Sequence, residues 1–194
     1  MRNVRIDQDS IRVIDGVIPP EICLELIDIF HKCESRHKEV PGRLVELDLL
    51  ALKFEQDPEN PLVDPDQLER VGSEFMKLME VEGNMYRNQW DPHEMLPSHW
   101  AAEGFRVKQY RPGEHEFRIH ADVGHRDSAE RFLGFLFYLN DADAGTRFPQ
   151  QDLEIESRAG SILIFPPMWP WPHEGLKAVA RPKYVMSSYQ RFAF

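Results

Sequence analysis

Beyond residue 104 the chain is a succession of short β-like runs broken by Gly, Pro and Asp. The runs cover residues 105–110, 116–122, 132–139, 146–148, 153–156, 161–165 and 183–192. Many short strands with frequent turn signals close into a sandwich or barrel. The first 104 residues read differently. A strand over 11–14 ends in the turn Asp15-Gly16, and Pro19-Pro20-Glu21 opens a helix carrying Ile22, Leu26, Phe30 and Cys33 on one face. Asp64-Pro65 is a second helix start, followed by Leu68, Val71, Phe75, Leu78 and Met79 at helical spacing. Residues 44–52 are apolar at Leu44, Val45, Leu47, Leu49, Leu50 and Leu52, and their period fits neither strand nor helix uniquely.

Helices first and strands afterwards predict an α+β fold with a mainly β core and helices layered outside it. The 194 residues suit a single domain. The expectation is a mainly helical support region over 1–104 and a β core over 105–194.

The bulk numbers narrow the partners. A net charge of −10 repels phosphate backbones, so nucleic acid is disfavoured. The N-terminal stretch lacks the apolar core of a secretory signal. The longest apolar run, 135–139, is far short of the ~18 residues that span a bilayer. Cys23 and Cys33 fall on one predicted helix, ~15 Å apart, beyond disulfide reach. The expected setting is cytoplasmic.

Chemistry concentrates in the last third. In Phe117-Arg118-Ile119-His120-Ala121-Asp122, strand alternation puts His120 and Asp122 on one face and sends Phe117, Ile119 and Ala121 into apolar packing. Two imidazoles and one carboxylate hold one face of a ferrous ion and leave the other open. His173, about fifty residues on, is the candidate third ligand, and Lys183, ten further, is a cation suited to anchoring a dicarboxylate there. His125-Arg126-Asp127 is a rival His-x-Asp. It lies in a polar stretch without alternation, and a loop holds ligands less rigidly than a strand. Zinc is a further reading of the same ligands; two histidines, a carboxylate and a dicarboxylate anchor favour iron. On the last strand Lys183, Val185, Ser187 and Tyr189 share a face, so Lys183 and Ser187 are expected on one carboxylate. Tyr138 is expected to donate to it too. Arg118, on the face of His120, and Trp169 and Trp171, in a Pro/Trp-rich loop suited to an extended peptide, are candidates for substrate contact. Arg118 reads equally as a surface residue, and the two tryptophans as packing for the loop that carries His173.

At these residues the chain resembles the prolyl 4-hydroxylase-like branch of the 2-oxoglutarate/Fe(II)-dependent dioxygenases. The resemblance covers roughly 105–192 and rests on four segments besides Lys183. They are Tyr110-Arg111-Pro112-Gly113, the His-x-Asp at 120–122, Tyr138-Leu139-Asn140 and Pro172-His173-Glu174. The family's Gly-Gly-x-Thr turn is partly kept as Ala144-Gly145-Thr146, and a Trp usual near the end of the last strand is Tyr189 here. The resemblance implies a double-stranded β-helix, or jelly roll, with N-terminal support helices. It implies Fe(II) on His120, Asp122 and His173, 2-oxoglutarate held by Lys183, Tyr110, Tyr138 and Ser187, O₂ as co-substrate, and ascorbate as a possible addition. Tyr189 joins the candidates for substrate contact. The implied reaction is hydroxylation of an unactivated C–H bond with release of succinate and CO₂, on a prolyl peptide or protein. The alternatives are the same chemistry on a free amino acid or small molecule, and a non-catalytic jelly-roll binding module. No oligomeric state is implied.

Overall fold

A computed structural model describes residues 3–193. In chain order the elements are β1 (Asn3–Gln8), β2 (Ile11–Asp15), α1 (Pro20–Lys32), β3 (Lys38–Val40), β4 (Leu44–Asp48), α2 (Leu49–Glu55), α3 (Pro65–Trp90) and β5 (Trp100–Ala102). Then follow β6 (Arg106–Tyr110), β7 (Phe117–His120), β8 (Arg131–Tyr138), β9 (Thr146–Phe148), β10 (Leu153–Ile155), β11 (Ile162–Phe165), β12 (His173–Gly175) and β13 (Lys183–Phe192). The major sheet runs β1-β2-β11-β8-β13-β6-β4-β3, with β5 also paired to β13. The minor sheet runs β10-β9-β12-β7. Every strand pair in both sheets is antiparallel.

The alternation along β8 shows how the layers form. Leu133, Phe135 and Phe137 face the helices, where Phe30 of α1 and Phe75 and Met79 of α3 join one buried cluster. Tyr138 and Leu136 face the minor sheet and join a second cluster with Phe148, Phe165 and Val185. The result is helices, major sheet and minor sheet in three layers, the expected jelly roll with helices outside. Phe75 and Phe137 meet edge-on with centroids 5.0 Å apart, which fixes α3 against the sheet.

The ambiguous stretch 44–52 is both elements in turn. Its strand ends at Asp48, whose carboxylate accepts from Leu50 N at 2.9 Å and Ala51 N at 3.1 Å. An N-cap of this kind satisfies otherwise orphan donors and starts α2. Asp64 likewise caps α3, accepting from Asp66 N at 2.9 Å. Gly83, which lowers helix propensity in α3, is there for space. A Cβ at this position would lie 2.7 Å from Gln190 Nε2 on β13.

The region 1–104 holds more helix than strand, yet β1 to β4 extend the major sheet on both edges and β5 pairs with β13. β1 was not legible as a strand. Apart from Val4 and Ile6 its residues are polar and mostly exposed, and pairing with β2 holds them in place. Cys23 and Cys33 are both buried free thiols. Among the described residues no helix is long and apolar enough to cross a membrane.

Candidate metal centre

β12 pairs with β7 so that His173 stands directly opposite His120. That pairing makes two distant histidines neighbours, with ring centroids 4.4 Å apart. Asp122 follows two residues after the end of β7. His120 Nε2 lies 3.3 Å from Asp122 Oδ1, and His173 Nε2 lies 3.4 Å from Asp122 Oδ2. One ligand atom from each of the three can be drawn within 4.8 Å of the others.

The second nitrogen of each ring is also engaged. His120 Nδ1 is 2.8 Å from the Arg118 carbonyl, and His173 Nδ1 is 3.3 Å from the Trp171 carbonyl. A carbonyl only accepts, so each Nδ1 carries a proton, and Nε2 is the ring nitrogen left to face Asp122. His173 packs against Phe148 and Phe165. That burial pushes its pKa down, and the attraction of Asp122 only partly offsets it. Burial opposes ionisation of Asp122, but His173, His120 and Lys108 outweigh it and hold the carboxyl well below the usual carboxylate range. Asp122 Oδ2 is nonetheless buried with no hydrogen-bond partner. A buried orphan oxygen facing the Nε2 atoms of two imidazoles fits a divalent cation. His125 and Asp127, the rival pair, are exposed around a short 3-10 turn and take no part in the cluster.

Strict strand alternation does not hold for two neighbours of His120. β7 and β12 slip register between His120 and Phe117, so Phe117 turns to the ligand side and stacks on His120 with centroids 3.8 Å apart. Ile119, expected in apolar packing, is 57% exposed, because the outer face of the minor sheet is uncovered there.

Lys183 enters the same pocket and is 1% exposed. Its Nζ donates to the Gly145 carbonyl at 2.9 Å and the Leu176 carbonyl at 3.4 Å, and sits 4.1 Å from the Tyr110 ring centroid. Burial lowers its pKa to about 7. Asn140 sets its position: Oδ1 accepts from Tyr184 N at 2.8 Å and Nδ2 donates to the Pro182 carbonyl at 2.8 Å, gripping the chain on both sides of the lysine. Tyr110, Tyr138 and Thr146 line the pocket with it. The Tyr138 proton, expected on a ligand carboxylate, goes instead to Thr146 Oγ1 at 2.8 Å. Thr146 therefore keeps its own proton to donate, a role the sequence reading missed.

Ser187 is a correction. It is fully buried, its Oγ has no partner, and it is not among the residues lining the pocket. Four residues of strand separate it from Lys183 by ~13 Å, so one carboxylate does not meet both. The candidate substrate residues also divide. Tyr189 lines the pocket, with the Arg131 guanidinium 4.0 Å from its ring centroid. Arg131 in turn donates to the Asp122 carbonyl at 2.9 Å and bridges both Glu103 carboxylate oxygens at 2.7 and 2.8 Å. Arg118 points to solvent and pairs with Glu116 at 3.3 Å. Trp171 donates from Nε1 to the Asp9 carbonyl at 2.6 Å, tying its loop to the β1–β2 hairpin, and Trp169 is 77% exposed. None of Arg118, Trp169 and Trp171 lines the metal pocket.

Gly145 provides a check on the Lys183 end. A Cβ there would stand 1.7 Å from the Ile155 carbonyl oxygen. Gly145→Ala must push β9 from β10 and move the carbonyl that holds Lys183. Its expected cost is about 1–3 kcal/mol of overpacking or more. Denaturant melts of the two proteins measure it, and equal midpoints would refute the close approach.

Comparisons with known proteins agree with this geometry. Residues 105–191 match the family model described as the 2OG-Fe(II) oxygenase superfamily. A comparison with curated proteins gives no match. Among solved structures, the chain is similar to the viral collagen prolyl hydroxylase of Paramecium bursaria Chlorella virus-1 in its 2OG complex. The TM-score is 0.69 at 19% identity, covering 97% of this chain and 98% of that one. A Pseudomonas putida prolyl-4-hydroxylase gives 0.67 at 16% identity, covering 96% and 95%. A Trichoplax adhaerens prolyl hydroxylase, solved with a hypoxia inducible factor oxygen degradation domain peptide fragment, gives 0.66 at 14% identity, covering 95% and 84%. These distant likenesses support the jelly roll, while the family match spans His120, Asp122, His173 and Lys183 together. Over residues 105–191, the part that carries every candidate ligand, the chain is similar to the 2OG-Fe(II) oxygenase superfamily.

Proposed function

We propose that this protein is an Fe(II)- and 2-oxoglutarate-dependent dioxygenase that hydroxylates a prolyl residue in a peptide or protein, releasing succinate and CO₂. The observation that carries the reading is one pocket with a different chemistry at each end. Two inward Nε2 atoms and an orphan carboxylate oxygen stand at one end, and a sealed lysine at the other. His120, Asp122 and His173 would hold the iron, and Lys183 would take the distal carboxylate of 2-oxoglutarate. Iron, when bound, supplies the activation of O₂ coupled to oxidative decarboxylation of the 2-oxo acid.

The chain's own residues bind and orient. With two N–H bonds given to Gly145 and Leu176, the Lys183 ammonium has one left for the carboxylate, and Thr146 offers a hydroxyl beside it. Charge-assisted bonds of this type contribute ~1.5–3 kcal/mol each. Tyr110 walls the side of the pocket. Arg131 fixes the Asp122 backbone and the Tyr189 ring, so the carboxylate keeps its direction when a substrate arrives.

The prolyl part rests on the similar structures, all three named as prolyl hydroxylases of other organisms and one of them in complex with a peptide fragment. Two buried free thiols suit a reducing compartment, and a cytoplasmic setting is part of the proposal. The test is succinate formation by protein purified without oxygen, then given Fe(II), 2-oxoglutarate and air, with and without ascorbate. Proline-containing peptides are expected to stimulate succinate release and to gain one oxygen atom by mass. Stimulation by free amino acids alone would overturn the peptide substrate. Absence of iron-dependent succinate across peptides and amino acids would overturn the enzyme.

A further inference from the structure

The metal pocket holds a second lysine that neither the metal reading nor the Lys183 reading uses. Lys108 lies on β6, two residues before Tyr110, so both side chains emerge on the pocket face of the major sheet. In register Lys108 stands beside Val185 of β13, whereas Lys183 stands beside Tyr110. The two lysines therefore occupy adjacent strands one rung of the face apart. Along β13 the rung of Lys108, at Val185, lies between Lys183 and Tyr189, and the Tyr189 ring packs on the Arg131 that holds the Asp122 carbonyl. Lys108 is therefore on the metal side of Lys183; burial lowers its pKa, with Asp122 and then Glu46 partly offsetting that, whereas burial alone lowers that of Lys183.

Lys108 has no partner of its own. Among the described residues its ammonium makes no hydrogen bond or ion pair. Glu46 is directly across on β4, but the carboxylate turns toward Arg106, 4.0 Å away. Asp122, the other anion nearby, directs its two oxygens to His120 and His173. A desolvated ammonium beside a divalent cation is unfavourable unless an anion stands with them. A 2-oxo acid bound to the metal brings that anion, as the carboxylate next to its oxo group.

We propose that Lys108 is a co-substrate-binding residue that takes the metal-proximal carboxylate of 2-oxoglutarate, as Lys183 takes the distal one. The pocket then offers a dicarboxylate one lysine at each end. This inference rests on the proposed metal and 2-oxoglutarate reading.

Zn(II)-loaded protein binds without turning over and allows affinity to be read directly. Three probes divide the ligand: 2-oxoglutarate has both carboxylates, 2-oxobutyrate only the proximal one, and 4-oxopentanoate only the distal one. Lys108→Met is expected to weaken 2-oxoglutarate and 2-oxobutyrate by about tenfold or more and to leave 4-oxopentanoate within about twofold. Lys183→Met is expected to do the opposite with the two half-ligands, and Lys108→Arg to restore much of the 2-oxobutyrate binding. The unchanged 4-oxopentanoate arm shows that Lys108→Met has folded. Unchanged 2-oxobutyrate binding in Lys108→Met, or equal loss of all three probes, overturns the assignment. Failure of the unaltered protein to bind Zn(II) or 2-oxoglutarate overturns the underlying reading as well. Loss of 2-oxoglutarate in Lys183→Met alone overturns only the role of Lys108.

Discussion

His120→Ala is expected to lower metal affinity by on the order of 100-fold or more and to take turnover to background, whereas His125→Ala stays within about twofold of the unaltered protein. The two histidines begin nearly identical His-x-Asp triplets, so composition does not separate them. Geometry does. His120 faces His173 across a strand pair, and its Nδ1 is held by the Arg118 carbonyl, so its Nε2 has one direction available. His125 is exposed at a 3-10 turn and, among the described residues, belongs to no three-residue ligand cluster. Removing His120 also leaves Asp122 Oδ1 without its neighbour in a site where Oδ2 is already orphaned. The carboxylate then has one imidazole left to share a cation with, and a bidentate remnant holds a divalent ion poorly. Titration with Fe(II) or Mn(II) followed by calorimetry measures the difference. Loss of binding in His125→Ala with retention in His120→Ala would mean that the metal uses the other triplet.

The parts legible in the sequence are those fixed by local period and local chemistry. The Asp64 cap, the Phe135 and Phe137 alternation and the Tyr138-Leu139-Asn140 end of β8 each follow from residues within a few positions of one another. The convergence of His120 with His173 was reachable because each lies on or beside a strand of a recognisable pattern. Events set by strand neighbours were not reachable. The register slip between β7 and β12 turns Phe117 inward, against strict alternation. Ser187 has the face that period assigns it, between Val185 and Tyr189, but its rung is four residues from Lys183, too far for one carboxylate to meet both. Trp171 looked like a peptide slot by composition and is a tether, because its partner is the backbone of Asp9 at the far end of the chain. Lys108 passed unnoticed for the converse reason. A lysine two residues before a tyrosine is unremarkable until β13 and the metal ligands are placed around it.

Lys183→Met is expected to weaken 2-oxoglutarate binding by roughly 100- to 1,000-fold, because a charge pair deep in a protein that loses one member leaves the other desolvated and unpaired. The affinity of the unaltered protein should also depend on pH in a direction set by the lysine. Without ligand, burial lowers the Lys183 pKa to about 7, so the ammonium is already losing its proton near neutrality. A bound carboxylate favours the charged form and raises that pKa again. The complex therefore holds a proton that the free protein releases above pH 7. Binding is strongest below that value and falls as pH rises through it, by up to about tenfold per pH unit until the pKa of the complex is reached. Lys183→Arg keeps its charge throughout and should flatten the profile, at whatever affinity the larger guanidinium permits beside Gly145 and Leu176. Calorimetry with Zn(II)-loaded protein from pH 6.5 to 9 reads both effects, and the proton uptake on binding is visible as a dependence of the heat on buffer. An affinity that rises across this range, or a Lys183→Met protein that binds 2-oxoglutarate as well as the unaltered one, would place the distal carboxylate elsewhere. The second result would also remove the reason for burying a lysine between two carbonyls and an aromatic ring. Such burial costs stability unless the ligand, or the two carbonyls already bonded to it, compensates.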